Sequence, residues 1–341
     1  MKPVLFVTNH APPFRIPAFK ALHERENVVF ALIGGDVRHG GGGTRATQLP
    51  FPAVFPEERT IARMAAGGRY RAVVAGLSGK VALPAAYAGA RAGRIPFVLW
   101  ATIWRHPRTP AHALSYAPLH HIYRHADAIA TYGPHVSAYV QRKYPRGAVF
   151  EAPQSVDVDF WTAEAMPERH GDFQILYAGR LEREKGLDVL ARAWDGEATL
   201  VLAGEGPLEI PGALRRGRCE AADLRNLYAG SDVVVVPSVP TRDFLEPWGL
   251  VVNEAFHQGV PVIATDAVGA AAGGLVRHER TGLVVPANDP HALRAALRRL
   301  HDDPALRAKL GAAGRTAAAE YTPAAWAEGM SRALTSAEKA C

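Results

Sequence analysis

The chain has 341 residues, of which 48% are apolar and 21% charged, so it can form about two folded domains and is not a disordered chain. The net charge of +6 is too small to indicate a nucleic-acid-binding protein. This modest positive charge is compatible with an anionic small molecule or an acidic membrane surface as a partner. The two cysteines, Cys219 and Cys341, indicate a reducing compartment and no disulfide framework.

The N-terminal apolar run is too short for a secretion signal, because it extends over only about five residues. Elsewhere, no run approaches the roughly 18 apolar residues of a membrane span. We therefore expect a soluble, cytoplasmic protein, with peripheral attachment to the inner face of a membrane left open.

Short apolar runs alternate with helical patterns in the first half of the chain. Strands are predicted at Val4–Thr8, Val28–Ile33, Ala72–Ala75, Pro96–Trp100 and Ala126–Thr131. Helices are predicted at Pro17–Glu24, Leu83–Ala92 and Val136–Tyr144. The glycine run from His39 to Thr44 is predicted to be a mobile surface loop. Continuous apolar strands that alternate with helices are typical of a parallel sheet covered on both faces.

The segment Ala152–Asp172 has no periodic apolar pattern and is the predicted linker. After it the alternation resumes, with strands predicted at Gln174–Ala178, Ala198–Ala203, Val233–Pro237, Val260–Thr265 and Leu283–Pro286. Helices are predicted at Gly186–Trp194, Ala221–Ala229, Leu250–His257, Pro290–Leu300 and Pro323–Glu338. The predicted fold class is α/β, with a Rossmann-like doubly wound domain at 1–160 and another at 161–322.

Two glutamates eight positions apart, Glu246 and Glu254, flank a Pro-Trp-Gly turn after an apolar strand. The order strand, loop, helix places Glu246 at the carboxyl edge of the sheet, where open α/β sheets bind ligands. Glu254 is predicted about two turns into the next helix, where it can accept hydrogen bonds from a ribose. Taken alone, the pair can equally be two solvated acids near a helix start.

Two cations, Arg180 and Lys185, follow an earlier strand across a strand-to-helix turn. Both can point to the ligand edge, where they could hold a diphosphate without a metal ion. Further segments appear downstream in a fixed order: Ala203-Gly-Glu-Gly-Pro, Val-Pro-Ser, the two glutamates, Gly-Val-Pro-Val-Ile-Ala-Thr and Thr-Gly-Leu-Val-Val-Pro. This succession resembles the C-terminal domain of glycosyltransferase family 4, the retaining GT-B enzymes also called glycosyl transferases group 1. The resemblance covers roughly residues 173–322.

The resemblance implies a GT-B fold, with the two domains facing across a cleft and the terminal helix, 323–341, packing back onto the first domain. It implies that Arg180 and Lys185 bind the donor diphosphate, that Glu246 meets the donor sugar and that Glu254 meets the ribose. It further implies that the loop with Trp248, Gly249 and Leu250 supplies backbone N–H groups to the sugar and phosphate. Trp248 stands where similar proteins often have phenylalanine.

The N-terminal half resembles the family less closely. A Pro-Phe-Arg segment that ends at Arg15 looks like the opening of some bacterial members that build surface polysaccharides. Many relatives have a Gly-Gly pair there, in contact with donor phosphate, whereas this chain has Pro12-Pro13, and Arg15 could supply charge in its place. Relatives also place a catalytic histidine after a later strand. His106 is the candidate for that role and Arg105 is a rival.

The implied reaction is retaining transfer of a sugar from a nucleotide-sugar donor to a saccharide, lipid-linked or small-molecule acceptor. No cofactor or metal ion is expected. His121 and His125 are four residues apart, but no acid joins them in a metal-binding pattern, so they are interpreted as structural. Asp157 and Asp159 form a D-x-D within the hinge-like segment and are also interpreted as structural.

Alternative activities on the same scaffold are a nucleotide-sugar epimerase, a phosphorylase and an inactive sugar-nucleotide-binding protein. A phosphorylase would need a lysine bound to pyridoxal phosphate, for which no motif is recognised. An epimerase would consume the donor without an acceptor. Product formation with any acceptor would exclude the inactive protein.

Overall fold

The computed structural model describes residues 1–34, 49–77, 79 and 81–341 and divides them into two compact units. The N-terminal domain comprises Met1–Asp157 and Thr322–Cys341, and the C-terminal domain comprises Val158–Tyr321. The glycine run from His39 to Thr44 lies outside the described residues. Within the part of the chain that the structure describes, none of the helices has the length and apolar character that a membrane span requires.

The N-terminal domain contains a seven-stranded parallel sheet in the order β3-β2-β1-β4-β5-β6-β7. The strands are β1 (Val4–Thr8), β2 (Val28–Leu32), β3 (Ala53–Val54), β4 (Ala72–Gly76), β5 (Phe97–Ala101), β6 (Ala128–Thr131) and β7 (Ala148–Glu151). The helices are α1 (Ile16–Glu26), α2 (Ile61–Ala66), α3 (Ala82–Gly93), α4 (Pro110–His125) and α5 (Pro134–Gln141). Every residue of β1, β4 and β5 is buried, as expected of parallel strands covered on both faces.

The C-terminal domain contains a six-stranded parallel sheet in the order β10-β9-β8-β11-β12-β13. The strands are β8 (Gln174–Ala178), β9 (Thr199–Ala203), β10 (Leu214–Gly217), β11 (Val233–Val236), β12 (Val262–Thr265) and β13 (Leu283–Val285). The helices are α6 (Val158–Thr162), α7 (Leu187–Ala193), α8 (Ala221–Ala229), α9 (Val251–His257), α10 (Gly269–Ala272), α11 (Pro290–Asp302) and α12 (Pro304–Ala318). The prediction of two doubly wound, Rossmann-like units is confirmed.

In both sheets the strand order reverses at the first strand, β1 in one domain and β8 in the other. From β1, the next strands in the chain, β2 and β3, lie on one side, and the later strands β4 to β7 lie on the other. From β8, β9 and β10 lie on one side and β11 to β13 on the other. Connections that run in opposite directions from such a strand leave helices on opposite faces of the sheet, and they open a crevice at the carboxyl edge between them. Loops that follow β1, β8 and β11 are therefore where ligands are expected.

The last helix, α13 (Pro323–Ala340), belongs to the N-terminal domain and packs along α1 and β7. Trp326 is fully buried in an aromatic cluster, with ring centroids 5.6 Å from Phe19 and 5.7 Å from Trp100. Gly329 lies so close to the backbone of β7 that an added Cβ would stand 2.1 Å from the Glu151 carbonyl oxygen. The buried indole of Trp326 therefore anchors this helix in the core, and the absence of a side chain at Gly329 allows the helix to approach the sheet closely.

Candidate functional site

A lysine and a glutamate that are far apart in sequence meet at the carboxyl edge of the C-terminal sheet. Nζ of Lys185 lies 2.5 Å from Oε2 of Glu246, and the Ser238 hydroxyl donates to the same oxygen at 2.9 Å. Lys185 follows β8, whereas Ser238 and Glu246 follow its neighbour β11. The side chains of Lys185 and Glu246 are 18% and 10% exposed, so the pair is largely withdrawn from water.

Ser238 is itself held in place by the next strand. Its carbonyl oxygen accepts a hydrogen bond from Oγ1 of Thr265 at 2.5 Å, and both residues are buried. The Lys185 ammonium also lies over the ring of Phe244, 4.9 Å from its centroid. The loops after β8 and β11, with the last residue of β12, thus fix one carboxylate and one ammonium group in a small polar site.

Gly186 allows the two loops to approach each other. It has φ of +75°, in the left-handed region, and an added Cβ would stand 1.9 Å from the Pro237 carbonyl oxygen. The backbone N–H of Val239 also donates to the Glu184 carbonyl at 3.0 Å. Because Gly186 directly follows Lys185, this close contact sets the distance between the lysine and the strand that carries Ser238.

Arg180 lies on the same loop, and its guanidinium is paired with carboxylates of that loop. It binds Glu182 and, at 3.1 Å, Oε1 of Glu184, while the side chain stays 45% exposed. The Tyr177 hydroxyl donates to the Arg180 carbonyl oxygen at 2.5 Å and so fixes the backbone. The prediction that Arg180 and Lys185 together hold a diphosphate stays a prediction, and a ligand at Arg180 would have to share it with two acids.

The loop between Glu246 and α9 is anchored by backbone hydrogen bonds to the start of α10. The Glu246 carbonyl accepts from Gly269 N–H at 3.1 Å, and the Trp248 carbonyl accepts from Ala270 N–H at 2.7 Å. Gly249 has φ of +91°, which makes the turn into the helix. Leu250 is the residue that caps α9 at its N-terminus.

Trp248 points into the domain and not toward solvent. The residue is 2% exposed, its indole N–H donates to Oδ1 of Asn253 at 2.7 Å, and its ring lies 5.4 Å from that of Tyr321. The indole therefore anchors the loop. A contact of Trp248 with a sugar or phosphate would have to come from its backbone, and that role stays a prediction, as do those of Gly249 and Leu250.

Glu254 occupies the first turn of α9, so the prediction that it lies about two turns into the helix is wrong. The helix begins at Val251, one residue after the predicted start, so Glu254 is its fourth residue. The Tyr228 hydroxyl donates to Oε2 of Glu254 at 2.7 Å, and Tyr228 is fully buried. Burial raises the pKa of Glu254 to about 7, against the smaller opposing effect of the Tyr228 hydrogen bond. Its charge can therefore change near neutral pH.

We expect Glu254→Gln to increase stability at pH 8 but not at pH 5. A carboxyl whose pKa is raised on folding keeps its proton longer in the folded state, so stability falls as pH rises from about 4.5 to about 7. Glutamine removes this loss, which is at most about 3 kcal/mol at 1.36 kcal/mol per pKa unit. Melting temperatures of both proteins across this pH range measure it. Glu320→Gln, at an exposed acid, is the control, and equal pH profiles for Glu254→Gln and wild type would contradict the raised pKa.

His106 lies in the N-terminal domain, between β5 and α4. Its Nε2 is 2.9 Å from the His112 carbonyl oxygen, and its ring is 5.0 Å from that of Tyr116. Since Nε2 must carry the proton to donate this bond, Nδ1 is the nitrogen that can accept one. The structure thus places His106 against the first turns of α4, and its catalytic role stays a prediction.

Two residues that hold the carboxylates were not predicted from the sequence. Ser238 ends the Val-Pro-Ser segment directly after β11, where a polar side chain at a strand end is a usable signal. Tyr228 lies on α8 and carries no such signal, because a tyrosine on the buried face of a helix is usually core.

A comparison with protein families supports the sequence resemblance for the second half of the chain. Residues 172–303 match the family described as Glycosyl transferases group 1. This match lies within the C-terminal domain. The match includes Lys185, Ser238, Glu246 and Glu254.

Curated relatives show the same partial similarity. The chain is 32% identical to glycogen synthase from Mycobacterium tuberculosis (strain ATCC 25618 / H37Rv) over 178 residues, which is 47% of this chain and 41% of that protein. It is 30% identical to D-inositol 3-phosphate glycosyltransferase from Arthrobacter sp. (strain FB24) over 194 residues, or 48% and 44% of the two chains. The chain thus spans less than half the length of these relatives.

Solved structures match over nearly the whole chain and show the fold. Anabaena Alr3699/HepE in complex with UDP has a TM-score of 0.76 at 17% identity, covering 98% of this chain and 100% of that one. Sucrose-phosphate synthase from Thermosynechococcus elongatus has a TM-score of 0.72 at 20% identity, covering 97% and 98%. The fold is GT-B, with two Rossmann-like domains.

Proposed function

We propose that this protein is a retaining glycosyltransferase that binds a nucleotide-sugar donor at the carboxyl edge of its C-terminal sheet and needs no metal ion. The observation that carries the proposal is the Lys185–Glu246 pair, braced by Ser238, within a glycosyl transferases group 1 domain. The pair lies at the carboxyl edge beside β8, where the strand order reverses and where doubly wound sheets bind ligands.

The charges at this edge suit the reaction. Cleavage of the bond between the sugar and the diphosphate leaves negative charge on the departing phosphate oxygen, and a fixed ammonium group stabilises that charge as it develops. Lys185 supplies the ammonium group. Arg180 can add a second cation from the same loop, and this positive charge takes the place that a metal ion has in other phosphate chemistry.

Glu246 has a separate role in the proposal. As the C1–O bond breaks, the sugar gains oxocarbenium character, and a nearby carboxylate favours that positive charge. Lys185 and Ser238 hold the carboxylate in one orientation, which suits a group that positions the sugar and stabilises charge. The acceptor oxygen then bonds to C1 on the face from which the phosphate leaves, and its proton passes to that phosphate.

Glu254 would bind the ribose of the donor. Its carboxylate lies in the first turn of α9, and an ionised carboxylate can accept hydrogen bonds from both hydroxyls of a ribose. The acceptor is proposed to bind the N-terminal domain, in which His106 is the candidate catalytic histidine. The relatives are named for glycogen and for D-inositol 3-phosphate, so their names do not select between a saccharide and a small-molecule acceptor.

A transfer assay with product analysis tests the proposal. UDP-glucose is the first donor, because a structural neighbour is described in complex with it. Maltooligosaccharides, sugar phosphates and alkyl glycosides serve as acceptors, with EDTA or Mg²⁺ present. We expect a product in EDTA whose anomeric proton coupling shows the configuration of the donor. An inverted product, a requirement for Mg²⁺, or donor consumption that needs no acceptor would each contradict the proposal.

A further inference from the structure

The N-terminal domain buries an arginine that has no acidic partner among the described residues. Arg15 is 4% exposed, and its Nη2 donates to the Tyr132 hydroxyl at 2.5 Å. Its Nη1 has no hydrogen-bond partner in the part of the chain that the structure describes. A buried guanidinium without a carboxylate is costly to the fold, because such charges are normally paired.

Aromatic rings surround the guanidinium. The Cζ atom of Arg15 lies 5.0 Å from the ring centroid of Trp100, 5.1 Å from that of Tyr132 and 5.5 Å from that of Phe14. These contacts orient the planar group and partly offset its loss of water. They do not neutralise its charge, and burial lowers the pKa of Arg15.

A second buried donor lies beside it. Trp100 is 5% exposed, and its indole Nε1 also has no hydrogen-bond partner among the described residues. Both groups can only donate, since neither a guanidinium nor an indole N–H accepts. Two donors of this kind, one of them charged, are what an oxygen atom of an anion requires.

The topology places this pair where ligands bind. Arg15 follows β1, the strand at which the strand order of the N-terminal sheet reverses. Trp100 is the penultimate residue of β5, and Tyr132 directly follows β6. All three therefore lie at the carboxyl edge of the sheet, next to the crevice of a doubly wound fold.

We propose that Arg15 and the Trp100 indole form an oxyanion-binding site of the N-terminal domain, which takes a phosphate or carboxylate group of a substrate. The group can belong to an anionic acceptor or to the donor diphosphate. The inference rests on the N-terminal domain alone and does not require that the proposed transfer reaction be correct.

The indole N–H of Trp100 gives a local readout. The chain has six tryptophans, whose indole signals are resolved by ¹H–¹⁵N NMR, and Trp100→Phe identifies the relevant one. In the full-length protein, inorganic phosphate is expected to shift this signal in a saturable manner. Arg15→Met should weaken that response at least about tenfold, the effect of losing one charged hydrogen bond. Arg63→Met, at an exposed arginine of α2, should leave it unchanged.

Saturating UDP separates the two sources of the anion. If phosphate still shifts the Trp100 signal with UDP bound, the site takes a group of the acceptor, whereas if UDP itself produces the shift and displaces phosphate, the site takes the donor diphosphate. Should Arg15→Met fail to fold, Arg15→Lys keeps the charge and is expected to retain a weaker response. A Trp100 signal that phosphate does not move in wild type, or moves equally in Arg15→Met, would overturn the proposal. Failure of UDP to bind would count against the proposed function but not against this site.

Discussion

Replacing Lys185 by alanine is expected to lower the rate of sugar transfer by about 10²- to 10³-fold, the loss typical of one preorganised group that stabilises transition-state charge. Glu246→Gln is expected to have a similar effect, because the amide keeps the shape of the carboxylate and loses its charge. Both side chains are largely buried and bonded to each other, so each is fixed before a substrate arrives. Initial-rate measurements of kcat and KM on the purified variants test this.

A structural explanation of such losses can be separated from a catalytic one. Removing either partner of a buried ion pair leaves the other charge unpaired and destabilises the domain. The double variant of Lys185→Ala and Glu246→Gln removes both charges, so we expect its melting temperature to recover while its transfer rate stays low. Arg192→Ala, at an exposed cation of α7, is the matched control. Near-normal turnover in the folded single variants, or recovery of turnover in the double variant, would show that the pair is only structural.

Gly186→Ala is expected to destabilise the C-terminal domain by about 3 kcal/mol or more, and to reduce transfer in any molecules that remain folded. The left-handed conformation costs an alanine about 1–2 kcal/mol, and overpacking against a fixed neighbour typically adds about 1–3 kcal/mol. Here the neighbour is the Pro237 carbonyl, a backbone atom that cannot rotate away. Thermal unfolding followed by circular dichroism measures the loss.

Gly196→Ala isolates the steric part of this effect. Gly196 also has a positive φ, +86°, but no atom lies within 4 Å of the position of an added Cβ. It should therefore show the conformational cost without the clash, and transfer should be unaffected. Equal destabilisation by the two substitutions would mean that the close approach of the Lys185 loop to Pro237 does not matter.

The sequence was informative where a single physical pattern decides the structure. Buried parallel strands are continuous apolar runs, so β1, β8 and β11 were predicted within a residue of their observed bounds. The edge strands β3, β7 and β10 are short or partly exposed and show no such run, and they were missed. The helix α12 was also missed, because its composition of alanine, glycine and arginine gives a weak apolar periodicity.

The same distinction applies to the candidate site. Charged residues in the loop between a strand and the next helix, such as Lys185 and Glu246, can be placed at the sheet edge from topology alone. Their direct pairing depends on how two loops pack, and it requires Gly186 at a position that no local pattern marks. Glu254 was placed a turn too far into its helix, because four of the seven residues between Glu246 and Glu254 precede the helix, which begins at Val251.

A calorimetric titration shows directly whether the edge with Lys185 and Glu246 binds a nucleotide sugar. UDP-glucose and the corresponding GDP, ADP and dTDP sugars are titrated into the full-length protein in EDTA, and then into Lys185→Ala and Arg192→Ala. We predict saturable binding of one nucleotide family, weakened at least about tenfold by Lys185→Ala, as expected for loss of a charged contact, and unchanged by Arg192→Ala. Absence of binding by every nucleotide sugar, or equal affinity in wild type and Lys185→Ala, would mean that this edge is not the donor site.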